Sequence, residues 1–452
     1  MKQSPMTRTH TFTRLRAAAL LLLALCVQPV ARAQLKIQIT SGVTDPVPVA
    51  VVPFAGNINS TGNGGGTDIA QIVTQDLTGS GRFKVMPQSR LPGTPARASE
   101  VVAADWKNAG NDYVVAGRVS DAGGGMSGIE FDLMNVLTGQ VLASQRFTAS
   151  AAAQRDAAHR IADLVYEKII GVRGAFATRI AYVSVDGVPP AQRYQLVVAD
   201  ADGANPRVIL ESPLPIMSPA WSPDGQWLAY VSFEHKHSAI WVQQVRTGER
   251  RQVSARAGIN GAPAWSPDGR KLLLTLGGSA GNPNLFLLDL SNQQLTRLTE
   301  GPAIDTEGVW APDGQSVYFT SDRSGGPQIY RIGIEPGAKP RRITFSGGYN
   351  ARPRLSPDGV KLAVVTLDSS SYRVAVQDLA SGTLQVLSHG RLDSSPSFAP
   401  NGAMLIYSGT QGGHTVLQRV SVDGLTSQIL SADHADVREP VWAPFDPPSA
   451  PH

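Results

Sequence analysis

Apolar and polar positions along the chain fall into a recurring order. A bulky apolar residue precedes a Ser/Ala-Pro-Asp/Asn-Gly turn, and an apolar-rich run follows it. The fullest copies are P-A-W-S-P-D-G-Q-W-L-A-Y at 219–230 and P-A-W-S-P-D-G-R-K-L-L-L at 263–274. Weaker copies lie at 309–319, 353–364 and 396–407, and a truncated P-V-W-A-P occupies 440–444. The aligned anchors are Trp221, Trp265, Trp310, Leu355, Phe398 and Trp442, spaced 43–45 residues apart. A fixed period of this size in a strand-rich chain predicts a β-propeller with one blade per repeat.

The ends of the repeat array predict how the ring closes. Ile180 to Ser184 matches Leu228 to Ser232, the second strand of a repeat, so the first repeat lacks a first strand. The last repeat has only a first strand. Joined, the two partial repeats complete one blade, giving six blades and no exposed sheet edge in the ring. Within each repeat the turn residues have local work: proline fixes φ, aspartate caps the backbone and glycine supplies positive φ. Asp224, Asp268, Asp313 and Asp358 recur at one place in different blades, so they are read as architecture rather than as a converging catalytic or metal set.

Upstream, Leu35, Ile37 and Ile39 alternate with Lys36, Gln38 and Thr40, a strand pattern. It is read either as an ordinary first strand or as an extended peptide able to join a partner's sheet edge. Residues 46–174 are expected to form a small α/β domain. Strands are predicted over 47–54, 82–86 and 112–119, with a hairpin over 129–136 and 140–148. Helices are predicted from Thr67 or Asp68 to Leu77, over 99–108 and over 151–170. The last carries an apolar stripe of Ala158, Ile161, Ala162, Val165 and Ile169. Gly171 and Gly174 mark the boundary. The propeller is expected over 175–446, with a flexible tail at 447–452. The fold class is therefore an α+β N-terminal domain followed by an all-β six-bladed propeller, closed by pairing of the propeller's terminal strands.

Charge changes the picture only after the first 33 residues are set aside. Arg8, Arg14 and Arg16 precede an apolar run from Ala17 to Val27, and Ala31-Arg32-Ala33 follows as a small-x-small signal. This predicts a secretory signal peptide cleaved between Ala33 and Gln34. The run is short for a membrane anchor, which needs about 20 apolar residues. Five of the 40 lysines and arginines lie in this leader, so 35 remain against 36 acidic groups. The formal charge of +4 thus supports no nucleic-acid reading. The only cysteine, Cys26, leaves with the leader, so packing without disulfides is expected to hold the exported chain.

Motifs with catalytic spelling fail on context. Gly277-Gly278-Ser279-Ala280-Gly281 spells a nucleophile elbow but sits between propeller strands rather than between strand and helix. Gly123 to Gly128 spells a dinucleotide fingerprint but leads into a strand. His235-Lys236-His237 has no nearby third ligand and reads as a solvated loop. What varies from blade to blade is the segment entering each inner strand: Ile259 to Ala262, Ile304 to Glu307, Tyr349 to Arg352, Leu392 to Ser395 and Asp436 to Glu439. Repeat scaffolds place binding on such loops, so one mouth of the channel is the expected contact surface.

Together the leader, the segment L-K-I-Q-I-T-S-G-V, the small α/β domain and the W-S-P-D-G blades resemble the TolB family. Members are periplasmic components of the Tol-Pal system of Gram-negative bacteria, and the resemblance covers essentially the whole exported chain. It implies a scaffold without catalysis or cofactor. It also implies binding of the lipoprotein Pal at the propeller mouth, communication with TolA through the N-terminal segment, and support of outer-membrane integrity and constriction at division. Some such proteins are colicin targets. By motif, the implied Pal contacts are Asn260, Ala262, Thr306, Glu307, Asn350, Arg352 and Asp393. The implied TolA-facing residues are Leu35, Ile37, Ile39, Ser41, Gly42 and Val43. Ile259 departs by being apolar where the family uses a polar residue. A monomer without an integral membrane segment is expected. Two rivals remain: a periplasmic ligand-binding propeller, and the propeller of a peptidase-like hydrolase, for which a further α/β-hydrolase domain is expected and is not seen in this sequence.

Overall fold

The computed structural model describes residues 45–56, 68–278, 281–430 and 435–447. From Pro46 onward these belong to one compact unit. The expected leader, its cleavage at Ala33 and Gln34, and the segment from Leu35 to Val43 lie outside the described residues, as do most of the glycine-rich loop after Phe54, Ser279 and the end of the tail.

The first sheet contains β1 (Val47–Val51), β2 (Phe83–Val85), β3 (Tyr113–Gly123), β4 (Met126–Asn135) and β5 (Gln140–Ser150), in the order β2-β1-β3-β4-β5. β1 runs parallel to β2 and β3, and β3, β4 and β5 are antiparallel. β1 is apolar throughout because both its faces are covered. Val49 and Val51 pack toward α1 (Ile69–Gly79) and the C-terminal helix, whereas Ala50 and Val52 meet Trp106 of α2 (Ala103–Asn108). Asp68 starts α1 by accepting the Gln71 N–H at 3.1 Å. α3 (Gln154–Ile170) buries Ala158, Ile161, Ala162 and Val165 as its stripe predicts and ends at Gly171, φ +85°.

The helix expected over 99–108 is shorter. A 3₁₀ turn spans Ala98–Glu100, Val101 and Val102 are extended, and helix begins only at Ala103. Asp132 accepts the Ala98 N–H at 2.8 Å and Glu100 accepts the Ala96 N–H at 2.7 Å, so side chains pin this loop to the sheet and to itself. Two adjacent β-branched valines favour the extended link.

The remaining strands make six four-stranded antiparallel sheets, the blades of a propeller. The closing blade joins the C-terminal strand Asp436–Trp442 to Arg179–Asp186, with Val437 opposite Ser184 and Trp442 opposite Ile180. The repeated turns work as their residues predict. Asp268 accepts the Arg270 N–H at 3.1 Å and the Ser266 hydroxyl at 2.6 Å, and the same Ser266 oxygen accepts the Lys271 N–H at 2.9 Å. Those hydrogen bonds, the Ser266 hydroxyl foremost, hold the Asp268 carboxyl below its ordinary value. The tryptophan anchors tie blades together. Trp265 donates its indole N–H to the Ala220 carbonyl at 3.1 Å, and Trp310 donates to Ala264 at 3.2 Å, each reaching the preceding inner strand.

The α/β domain meets the propeller on the turn side. Arg155 pairs with Asp200 and Asp202, Arg82 approaches Asp423 at 3.4 Å, and Asn401 donates to the Arg173 carbonyl at 3.0 Å. The face where the inner strands begin is left clear of these contacts. Among the described residues no helix is long and apolar enough to cross a membrane.

Candidate partner-binding mouth

The mouth is built by one device repeated in every blade. Each inner strand breaks register with its neighbour, a β-bulge, between the strand's start and its anchor. At each bulge a non-glycine residue takes the left-handed region: Ser218, Ala262, Glu307, Arg352, Ser395 and Glu439, with φ between 42° and 56°. Such backbone is uncommon for L-residues and persists only where the surrounding structure enforces it. Here the flanking ladder does so. All six residues stand three positions before the anchors, and all line a central cavity of about 580 Å³ that extends to the turn side past Trp221, Trp265 and Trp442.

Because these six side chains converge, a charged bar crosses the channel. The Arg352 guanidinium lies 3.1 Å from a Glu307 carboxylate oxygen and 3.5 Å from Glu439, two blades further on, and it donates to the Ser395 hydroxyl. Glu307 also accepts the Thr320 hydroxyl at 3.0 Å and the Arg352 N–H at 3.0 Å. Glu439 accepts the Ser218 N–H. Burial opposes the charge on Arg352, but Glu307 and Glu439 outweigh it and raise its pKa.

Two positions before four of the six bulge residues, a second, polar set does different work. Asn260, Asp305, Asn350 and Asp393 are buried. Asn260 accepts the Ser254 hydroxyl at 2.7 Å and the Arg256 N–H at 3.0 Å, and donates to the Arg256 carbonyl at 2.7 Å. Asn350 donates to Gln328 at 3.0 Å and to the Ser346 carbonyl at 2.8 Å. Asp393 accepts the Gly390 N–H at 2.8 Å. Asp305 receives both oxygens' contacts from Arg323, at 2.8 and 2.9 Å. These polar groups fold the entry loops, as buried polar groups commonly do; among these four side chains only Asn350 Oδ1 is left without a partner. Asn260, Asn350 and Asp393, expected from the sequence as contact residues, therefore support the mouth from beneath rather than face outward.

The outward surface carries exposed apolar side chains among charged ones such as Lys236, Arg256 and Arg391. Val188, Met217, Ile259, Ile304, Phe345 and Leu392 are exposed on this face, Phe345 at 73% and Leu392 at 61%. Of the other expected residues, Ala262, Glu307 and Arg352 lie on the channel wall. Thr306 is half-buried, its hydroxyl 3.4 Å from that of Thr275. Sequence reasoning missed Ser218, and it placed Ser395 and Glu439 at the ends of the variable entry segments without singling them out as contacts, although counting three residues back from every anchor reaches all three. It also missed Phe345, which lies ten residues before its anchor and outside the segments that vary most visibly.

Comparison with known proteins agrees with this architecture. Residues 166–446 match the family model described as the TolB beta propeller domain, and residues 35–142 match the TolB amino-terminal domain. The chain is 47% identical over 431 residues to the Tol-Pal system protein TolB of Xanthomonas oryzae pv. oryzae, covering 95% of this chain and 97% of that protein. It is 46% identical over the same length to the corresponding protein of Xanthomonas campestris pv. campestris. The crystal structure of TolB from Acinetobacter baumannii superposes with a TM-score of 0.82 at 41% identity, covering 89% of this chain and 98% of that one.

Proposed function

The chain belongs to the TolB family, and from that premise we propose that it is a non-catalytic periplasmic scaffold that binds Pal at the propeller mouth and TolA through residues 34–44. In this role it supports outer-membrane integrity and envelope constriction. The observation that carries the reading is the grouping of exposed Val188, Met217, Ile259, Ile304, Phe345 and Leu392 on the face away from the α/β domain. Apolar side chains gathered on one exposed face mark a protein-binding surface, and large apolar anchors over a rigid base are the usual source of affinity. The contact set we assign combines these residues with Ala262, Thr306, Glu307 and Arg352, while Asn260, Asn350 and Asp393 hold the loops that present them.

Calorimetric titration with purified Pal tests the assignment. Phe345→Asp combined with Leu392→Asp weakens Pal binding at least tenfold while the melting temperature stays within a degree or two. Undiminished affinity in that variant removes the mouth from the proposal. Deleting residues 34–44 leaves Pal binding intact and abolishes TolA binding; a truncated chain that still captures TolA removes the N-terminal segment.

A further inference from the structure

Where the α/β domain meets the propeller, a buried imidazole has one nitrogen engaged and the other free. His159 of α3 is 3% exposed. Its Nδ1 lies 2.6 Å from Asp76 Oδ2 on α1. Its Nε2 has no hydrogen-bond partner. That nitrogen faces the propeller turn that follows Arg193–Asp200, with Asp202 Oδ2 at 4.0 Å. One donor atom each from His159, Asp200 and Asp202 lies within 4.8 Å of the others. A carboxylate on one ring nitrogen is how proteins fix the tautomer and direction of a metal-binding histidine, and the two carboxylates before the other nitrogen are held by Arg155, with Asn205 also donating to Asp200 at 2.8 Å.

Charge points the same way. Asp76, Asp200 and Asp202 bring three negative charges into the seam. Arg155 pairs with the latter two, and Arg419 faces Asp76 and Asp202. With a neutral imidazole one negative charge remains in this partly buried seam, to be balanced either by a proton on His159 or by a bound cation. Arg155 stands across both aspartates, and its side chain, 23% exposed, can withdraw to solvent.

We propose that His159 Nε2, Asp200 and Asp202 form a divalent-cation site of zinc type, with Asp76 orienting the imidazole. One nitrogen and two carboxylates suit Zn²⁺, whereas Ca²⁺ and Mg²⁺ take oxygen ligands. Zn–N and Zn–O bonds of about 2.0–2.2 Å place tetrahedral ligands roughly 3.3–3.5 Å apart. The present donors, within 4.8 Å of one another, need to close by up to about 1.5 Å as Arg155 moves aside. The bound ion would tie a helix of the α/β domain to a blade turn, so occupancy would stiffen the seam between them.

Titration of the untagged full chain with ZnCl₂ is the test. One ion binds per chain. His159→Gln and Asp202→Asn each weaken binding at least tenfold, and Asp76→Asn weakens it about 10–100-fold. Arg155→Ala leaves binding equal or stronger, and His235→Gln with His237→Gln leaves it unchanged. A readout free of mutation is the ¹⁵N resonance of His159 in the native chain, where Zn²⁺ shifts Nε2 more than Nδ1. The proposal fails if binding is not saturable, if it survives His159→Gln, if it is lost with the His235 and His237 pair, if Ca²⁺ binds as well as Zn²⁺, or if the His159 resonance does not move.

Discussion

At the turn side of the ring, Asp224, Asp268 and Asp358 do the same thing in different blades: each accepts the N–H two residues on and sits beside the serine two residues back. At the mouth, the backbone is just as regular, with a bulge and a left-handed residue in all six inner strands, but the side chains at that place are serine, alanine, glutamate, arginine, serine and glutamate. The turn needs one chemistry because its side chains make the backbone bonds. The bulge is enforced by the strand ladder, so its side chain is released for other uses. A repeat scaffold varies where backbone geometry does not depend on the side chain.

Both the turns and the mouth depend on the ring being closed. Removing residues 438–452 takes away most of the strand that pairs with Arg179–Asp186. The expected result is loss of cooperative melting for the whole propeller, followed by circular dichroism. A truncation that costs only local order would show that the ring does not depend on its closing strand. Next in size, Trp310→Ala removes a buried anchor and its bond to Ala264. Urea unfolding should record a loss of about 3–5 kcal/mol.

The seam on the turn side gives a smaller, pH-dependent effect. Burial disfavours the charged His159 imidazole, but the hydrogen bond and charge of Asp76, with Asp202, raise its pKa above the ordinary 6.5. Its contribution is complete below about 6.5 and is lost as pH rises through the higher folded value. Asp163 is raised from 3.8 to about 7 by burial, only partly offset by the Phe176 and Ala177 N–H groups. The folded chain therefore holds that proton longer than the unfolded chain, and stability falls as pH climbs from about 4 to about 7. Both slopes make the protein more stable in mild acid. In melting curves from pH 5 to 8, His159→Gln should lose the upper part of the slope and Asp163→Asn the lower. The mouth gives the smallest effect: Phe345→Ser should change stability by no more than about 0.5 kcal/mol. A large loss there would mean that the mouth side chains, like the turns, hold the fold.

Much of this molecule follows from residues near one another in the chain. The 43–45-residue period, the Ser-Pro-Asp-Gly turns and the unmatched end strands determine a closed six-bladed ring, because turn chemistry and strand periodicity are local. The apolar stripe of α3 and the cap at Asp68 are local in the same sense. The helix over 99–108 was legible only in part, since Asp132 of a distant strand anchors its first turn. Other decisions belong to the tertiary structure alone. Asn260, Asn350 and Asp393 look like exposed loop polars in sequence, yet the entry loops fold over them. Arg352 meets Glu439 across 87 positions, and His159 meets Asp76 across 83. Periodicity puts Arg352 and Glu439 at the same place in their blades without pairing them, and it carries no signal for His159 and Asp76, because these contacts are set by how blades and domains pack.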